Sequence, residues 1–510
     1  MYSSIADSHG TRRLRRTGLL LAVACAAVRI GQAQEAPAPA QAQTPEQAPA
    51  QAPALDQNAA PPAVAPIVPG TQPPPAPEFA PVAPFVPRES YWDVYSGITY
   101  TDNVARTFGA AKSDEFAVVG TDLNIHRQTP KLQVDAIGDL DWVDFLGNTF
   151  PSRFFGNFDG TAQYGRATDW FNFSLRDTFG QLNTDPLAAA NSADLENVNF
   201  LAAGPRFNIP LSYQMSLSMY GLYSKVTYQK TDQYNSNSYL GGAALTRQLS
   251  LASTAGLVAE YQTTDFSAAQ YGTYNTRKMF VRYAVNGRRT TIKLDVGYEQ
   301  IKDIGAGGHG LFLDADLARR ITPSMSVFIR GRDAYSATGD LLQAEAGAAL
   351  TPSLVGQAGN IASATPFHER TYTAGWRFAR TRTSLSLEVS RIRDAYEQRA
   401  DLDNNTTAVI GSFEHRLTPT VSFNMNAWWE AVNYLSLGRY NQRQASVALM
   451  KRFGHLALSV EYQNFDQTSA GAAARYRENR FGARVIYGIG SAALGTGGPG
   501  AGGGINRAAY

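Results

Sequence analysis

Ile292-Lys293-Leu294-Asp295-Val296-Gly297-Tyr298-Glu299 is the stretch on which the fold turns. Apolar Ile292, Leu294, Val296 and Tyr298 alternate with Lys293, Asp295, Gly297 and Glu299. A period of two puts the two sets on opposite faces of one strand, one apolar and one polar. The pattern recurs along the chain. Leu385, Leu387 and Val389 alternate with Ser384, Ser386 and Glu388, and Val421, Phe423 and Met425 with Ser422, Asn424 and Asn426. Helical apolar periodicity is almost absent between residues 91 and 490.

Soluble sandwiches and propellers alternate too, but their strands usually run about five or six residues. The alternating segments here run ten to fourteen, the length a tilted membrane-crossing strand needs. The connections are asymmetric as well. Short turns recur as His126-Arg127-Gln128-Thr129-Pro130, Arg319-Arg320-Ile321-Thr322-Pro323 and His415-Arg416-Leu417-Thr418-Pro419. Between them lie longer polar loops, Asn183 to Asn197, Ser336 to His368 and Gln398 to Asn405. Tight turns on one side and long loops on the other mark an outer-membrane barrel. The expected fold is therefore all-β, a transmembrane antiparallel β-barrel of about 20 strands over residues 91–490, with the spacing leaving 16 to 20 open. The strands are expected to begin near Trp92, Phe116, Lys131, Ser152, Asp169, Asn197, Tyr213, Asn237, Thr254, Tyr274, Thr290, His309, Ser324, Arg370, Thr383, Thr406, Thr420, Gln442, His455 and Tyr476. In this register all three Thr-Pro turns follow even strands, so they share the periplasmic side with both termini. Trp142, Tyr298, Trp429, Tyr462 and Tyr487 fall near strand ends on the apolar face, as an interfacial girdle requires.

The flanks differ sharply. Arg12, Arg13, Arg15 and Arg16 precede the apolar run Thr17 to Val28, and Gly31-Gln32-Ala33 offers the small residues of a cleavage site. That reads as a Sec signal peptide over residues 1–33, cut after Ala33. The run is too short for a membrane helix, which needs about 20 residues. Residues 34–90 hold 16 of the 26 prolines, with Ala and Gln filling most of the rest, a composition that cannot bury a core. This is expected to be a disordered periplasmic linker, and Gly/Ala-rich residues 491–510 a C-terminal tail.

Composition excludes several functions. Cys25 is the only cysteine, so the expected mature chain can carry no disulfide, thiol nucleophile or thiolate metal site. The six histidines show no metal-ligand spacing, and no cofactor or metal site is expected. Cleavage removes five Arg and one Asp, leaving 40 basic and 42 acidic residues, a net of −2 with no patch for nucleic acid. Gly305-Ala306-Gly307-Gly308-His309-Gly310 matches a dinucleotide-type glycine pattern but lies between strands rather than at a strand-to-helix turn. No nucleophile elbow or paired-carboxylate motif appears, and the chain is not expected to be an enzyme.

Charged residues on the polar faces must meet water or each other. Asp135, Asp139, Glu260, Lys278, Arg282, Lys293, Asp295, Arg330, Arg332, Glu388 and Glu430 are the pore-lining candidates. The longest loop, Ser336 to His368, carries a partly apolar stretch suited to folding into the barrel mouth, which makes Asp340 and Glu345 constriction candidates. The expected function is a pore, the alternative a non-conducting barrel that anchors envelope components. Outer-membrane lipid and the barrel-assembly machinery are the expected partners.

Gly97-Ile98-Thr99-Tyr100-Thr101-Asp102-Asn103-Val104 resembles the opening of β-barrel porins encoded beside exopolysaccharide gene clusters. Asp177-Thr178-Phe179-Gly180, with Asp185-Pro186 and Glu196-Asn197-Val198-Asn199, is similar to a segment of the same group. The chain departs from the common plan after Tyr487, where a Gly/Ala-rich tail replaces an aromatic terminus. The resemblance implies an outer-membrane component of polysaccharide export or secretion. Exopolysaccharide, or periplasmic export components reached through residues 34–90, would be its partners.

Overall fold

The computed structural model describes residues 90–489 apart from 167–168, 186–187, 189–190, 269, 303–306, 338–364, 436–437 and 472–474. The expected signal peptide, nearly all of the expected linker, the expected tail, Asp340 and Glu345 lie outside the described residues.

The first ten strands are β1 (Tyr91–Thr101), β2 (Asp114–Gln128), β3 (Leu132–Phe145), β4 (Arg153–Tyr164), β5 (Phe171–Asn183), β6 (Leu195–Pro210), β7 (Met215–Tyr228), β8 (Ser236–Ser250), β9 (Ser253–Phe266) and β10 (Thr273–Asn286). The second ten are β11 (Thr290–Lys302), β12 (Gly308–Thr322), β13 (Met325–Ser336), β14 (Phe367–Ala379), β15 (Thr383–Tyr396), β16 (Asn404–Arg416), β17 (Val421–Tyr434), β18 (Gly438–Phe453), β19 (Leu456–Gly471) and β20 (Tyr476–Ile489). Each pairs antiparallel with its sequence neighbours, and β1 pairs with β20, so the sheet closes into a 20-stranded barrel. Closure matters because hydrocarbon offers no partner to an open sheet edge. The largest displacement from the expected starts is at β18, which begins at Gly438 rather than Gln442. The expected loops are shorter than the composition suggested, because Asn183, Leu195–Asn197, Ser336, Phe367–His368 and Asn404–Asn405 belong to strands. Polar residues at a strand's end look like loop to any pattern based on apolar alternation.

The Thr-Pro turns have a local cause. Thr129 Oγ1 accepts from Leu132 N at 3.0 Å, and Thr418 Oγ1 from Val421 N at 3.0 Å, so each hydroxyl closes its own turn. Turns after even strands are tight, as at Leu251–Ala252 between β8 and β9. The opposite rim carries the longer connections, including residues 102–113 and 184–194, and is the extracellular rim in the outer-membrane plan.

Alternation becomes two environments. On β11, Leu294 and Tyr298 are 37% and 51% exposed on the outside, whereas Asp295 and Glu299, pointing inward, are 1% and 0% exposed. Leu387, Val389, Met425, Val447, Leu449, Val460 and Val485 continue the outer apolar belt around the wall. Such a continuous exposed belt is untenable in water and is what lipid requires. Trp142, Tyr298, Trp429, Tyr462 and Tyr487 are on this outer face. The chain is an outer-membrane β-barrel.

Some ladders are incomplete. Pairing of β4 with β5 stops at Phe158↔Phe179, and that of β12 with β13 at Leu313↔Asp333. In β4 the cause is Gly156, whose φ of 139° only glycine adopts easily. The Gln181 side chain there accepts from Gly156 N at 3.3 Å and donates to Asn197 Oδ1 at 3.0 Å, filling the split.

Candidate functional site

The inward faces of β9 to β15 form one charged wall. Arg282 lies directly across from Asp295, with Nε and Nη2 each donating to its carboxylate at 2.9 Å. Asp295 in turn faces Asp314, a like-charged pair directly opposite, which costs stability if unrelieved. Lys293 relieves it, with Nζ 3.2 Å from Asp314 and 3.8 Å from Asp295. Lys278 lies 3.5 Å from Glu299, Arg330 3.5 Å from Asp316, and Arg332 3.1 Å from Glu369. Glu260 accepts from the Tyr220 hydroxyl at 2.6 Å. Glu388 is within electrostatic reach of Arg330 and Arg377, whose guanidiniums both stack on Phe328.

Eight of the eleven inward candidates therefore share this wall. Asp135 and Asp139 are on β3, where Asp135 pairs with His126 and Asp139 faces Asp122. Glu430, on β17, is fully buried opposite Gln442. The wall is wet in its middle: side chains of Arg282, Asp314 and Asp316 are about one-third exposed. A cavity of about 260 Å³, lined by Glu260, Lys278 and Arg332 with Leu240, Tyr274 and Ile301, opens near the top of this wall. It lies where the β12–β13 ladder ends, and Glu299 there accepts the free N–H of Tyr335.

Loops at the extracellular end are tied to the barrel wall and to one another. Arg106, from the loop after β1, reaches inward and stacks 4.7 Å over Phe465 and 5.2 Å over Tyr476. Its Nε donates to Glu478 Oε2 at 2.8 Å, and Glu478 also accepts from Arg480 and from Thr101, each at 2.6 Å. Burial alone would lower the Arg106 pKa, but Tyr476 and Glu478 hold it above the usual range, so the cation stays charged. Asn191 Nδ2 donates to Ala105 O at 2.9 Å, joining the β5–β6 loop to the β1–β2 loop. Lys230 Nζ donates to Ala193 O at 2.6 Å, adding the β7–β8 loop. Leu402 packs on Phe367 and Tyr396. Beneath these loops the inner wall carries rings and amides: Trp428 Nε1 donates to Gln444 Oε1 at 2.6 Å, and Gln442 Nε2 to the Tyr476 hydroxyl at 2.9 Å.

Arg106, Glu478, Arg480 and Glu369 are absent from the candidates read from sequence. In Arg477-Glu478-Asn479-Arg480 every residue is polar, so no apolar partner sets which face is inward. Arg106 is a loop residue with no period at all. Among the described residues no group of three His, Cys, Asp or Glu side chains could hold a metal.

No family model matches the sequence, and no curated protein matches it. Among solved structures it is similar to the ferric enterobactin receptor PfeA of Pseudomonas aeruginosa, at TM-score 0.42 and 10% identity over 79% of this chain and 81% of that one. The siderophore receptor PirA of Acinetobacter baumannii gives 0.43 and 8% over 79% and 81%. The ferric citrate transporter FecA gives 0.38 and 10% over 79% of each chain. Likeness at this level carries no argument about cargo. Nothing in it ties the chain to exopolysaccharide gene clusters, and that part of the resemblance rests on the quoted residues alone.

Proposed function

We propose that this barrel is an outer-membrane transport channel, braced at its extracellular end by buried loop contacts, and that its cargo is a hydroxyl-rich polymer such as an exported polysaccharide. The wet charged wall of β9 to β15 is the observation that carries the reading. An interior meant only for packing gains nothing from part-exposed Lys293, Asp314, Asp316 and Arg330, whereas a hydrated path needs them. In this reading they line the pore together with Glu260, Lys278, Arg282, Asp295, Arg332 and Glu388. Trp428 and Tyr434 on β17 lie with Tyr440, Gln442 and Gln444 on β18, all nearly fully buried here; uncovered, that mixture of ring faces and amides would suit sugar rings. Residues 34–90 would reach periplasmic export components.

The loop contacts at the extracellular end favour a second reading, a non-conducting barrel that anchors envelope components. Planar-bilayer recording separates the two. The pore reading expects low conductance from the wild type and stepwise openings when Arg106→Ala and Glu478→Ala are combined, blocked by added polysaccharide. A double variant that inserts and stays silent would establish the anchoring barrel instead.

A further inference from the structure

On the outer face, β14 and β15 run upward from lipid to headgroup in matched steps. Trp376 lies across from Leu387, Ala374 from Val389, Tyr372 from Arg391, and Arg370 from Arg393. Leu387 and Val389 are exposed belt residues, and Tyr372, 53% exposed, stands at girdle height. The next step up is therefore the membrane–water interface, and it holds two arginines directly opposite each other. Like charges so placed destabilise a sheet unless something neutralises them. On the β13 side, Asp333 is 3.2 Å from Arg370 and 2.7 Å from His368, so its single charge is already shared. On the β16 side, Arg391 faces Thr407 and Arg393 faces Asn405, neither of them acidic. Arg391 and Arg393 are exposed and enter no ion pair among the described residues.

We propose that Arg370, Arg391 and Arg393 form a docking site for the phosphorylated headgroup of an outer-leaflet lipid. This rests on membrane location and not on the pore reading. Charge complementarity selects the ligand: guanidiniums bind phosphate through two parallel N–H donors, and three around one spot match a phosphomonoester better than a carboxylate can. Height selects the source, because acyl chains below Tyr372 would lie on Val389 and Leu387 while the phosphate stands level with Arg391 and Arg393. Thr407 and Asn405 can donate to neighbouring sugar oxygens. The arrangement also explains why the repulsion is tolerated, since the bound anion supplies the missing countercharge.

The test uses the full chain in zwitterionic detergent, with native mass spectrometry reading occupancy by diphosphoryl lipid A and by its dephosphorylated form. Wild type should bind the phosphorylated lipid at least tenfold more tightly than the dephosphorylated one. Combining Arg391→Gln with Arg393→Gln should weaken binding at least tenfold. The Arg391→Lys, Arg393→Lys pair, which keeps the charge without the fork, should lose only a few-fold. Arg443→Gln serves as the control, since Arg443 is an exposed cation on β18 whose partner is Asp466, 3.3 Å away. It should change nothing. Equal wild-type binding of the two lipids overturns the proposal without any variant having to fold. Full displacement by millimolar inorganic phosphate would overturn the assignment to lipid.

Discussion

Arg106 Nε and Glu478 Oε2 are 2.8 Å apart with both side chains fully buried, tying the first long loop to the last strand of the barrel. Removing one partner of such a pair leaves an uncompensated charge, at a cost of about 3–5 kcal/mol. Glu478→Gln strands Arg106 and also Arg480, which donates to the same carboxylate. The expected outcome is release of the loop at residues 102–113, read as new proteolytic cleavage there in an assembled barrel. A loop that stays protected would show that the ring stacking on Phe465 and Tyr476 suffices to hold it.

Burial separates two aspartates that meet the same lysine. Asp295 is 1% exposed and takes both Arg282 and Lys293, while the Asp314 side chain is about one-third exposed. Asp295→Asn should lower unfolding stability in lipid vesicles by about 3–5 kcal/mol. Asp314→Asn should cost about 0–1 kcal/mol, because water screens that pair. Similar losses from both would mean the wall is uniformly dry.

The two faces of β15 make a paired test one residue apart. Leu387 points into lipid, and Leu387→Arg should cost about 2–4 kcal/mol if it lies near the midplane. Ser386 points inward, directly across from Arg377, so Ser386→Glu gains an opposite charge and should assemble normally. Heat-modified mobility of the two variants on gels reads the difference. Equal damage would contradict the division between lipid and lumen.

Asp194, at the end of the β5–β6 loop, gives the loops a pH dependence. Burial raises its carboxyl above the usual range of about 3.9, although Thr184 Oγ1 and Asp185 N donate to it at 2.7 and 2.9 Å. A raised folded pKa means the folded loop holds its proton longer than the unfolded chain. Its stabilisation is complete below about pH 3.9 and is lost as pH rises through the folded value. Loop protection against protease should therefore fall on going from acid to neutral pH, and Asp194→Asn should flatten that slope. An unchanged slope would place the titrating group elsewhere.

Topology can be read in whole cells. Lys112 is exposed in the loop after β1, and Ser324 lies in the turn between β12 and β13 at the opposite rim. Because Cys25 is the only cysteine, Lys112→Cys and Ser324→Cys give single-site probes in a Cys25→Ala background. An impermeant maleimide should label the first and spare the second. The reverse result would invert the barrel.

A barrel of about 20 strands, with 16 to 20 left open, and the shared rim of the Thr-Pro turns were readable from residues alone, because alternation has a period of two and a slip of one residue would move a whole apolar face. Inward charges such as Glu260, Arg282, Lys293 and Asp295 were readable for the same reason, each lying between apolar residues that set its phase, whereas Arg332, between Gly331 and Asp333, has no such neighbours. Lys293 had no such signal for its role: that it bridges Asp295 and Asp314 depends on the register of β11 against β12. The positive φ of Gly156 and the split between β4 and β5 beside it leave no trace in an alternation pattern.

The sequence by itself determined a closed antiparallel barrel of the outer membrane, since the spacing of apolar side chains is local and lipid rewards it strand by strand. Only the tertiary structure decided which charges meet and how the extracellular loops are tied to the wall. Thr101 and Glu478, joined at 2.6 Å, are 377 residues apart. Such a contact exists because the last strand returns to the first, and the geometry of closure is a property of all twenty strands together rather than of any stretch of sequence.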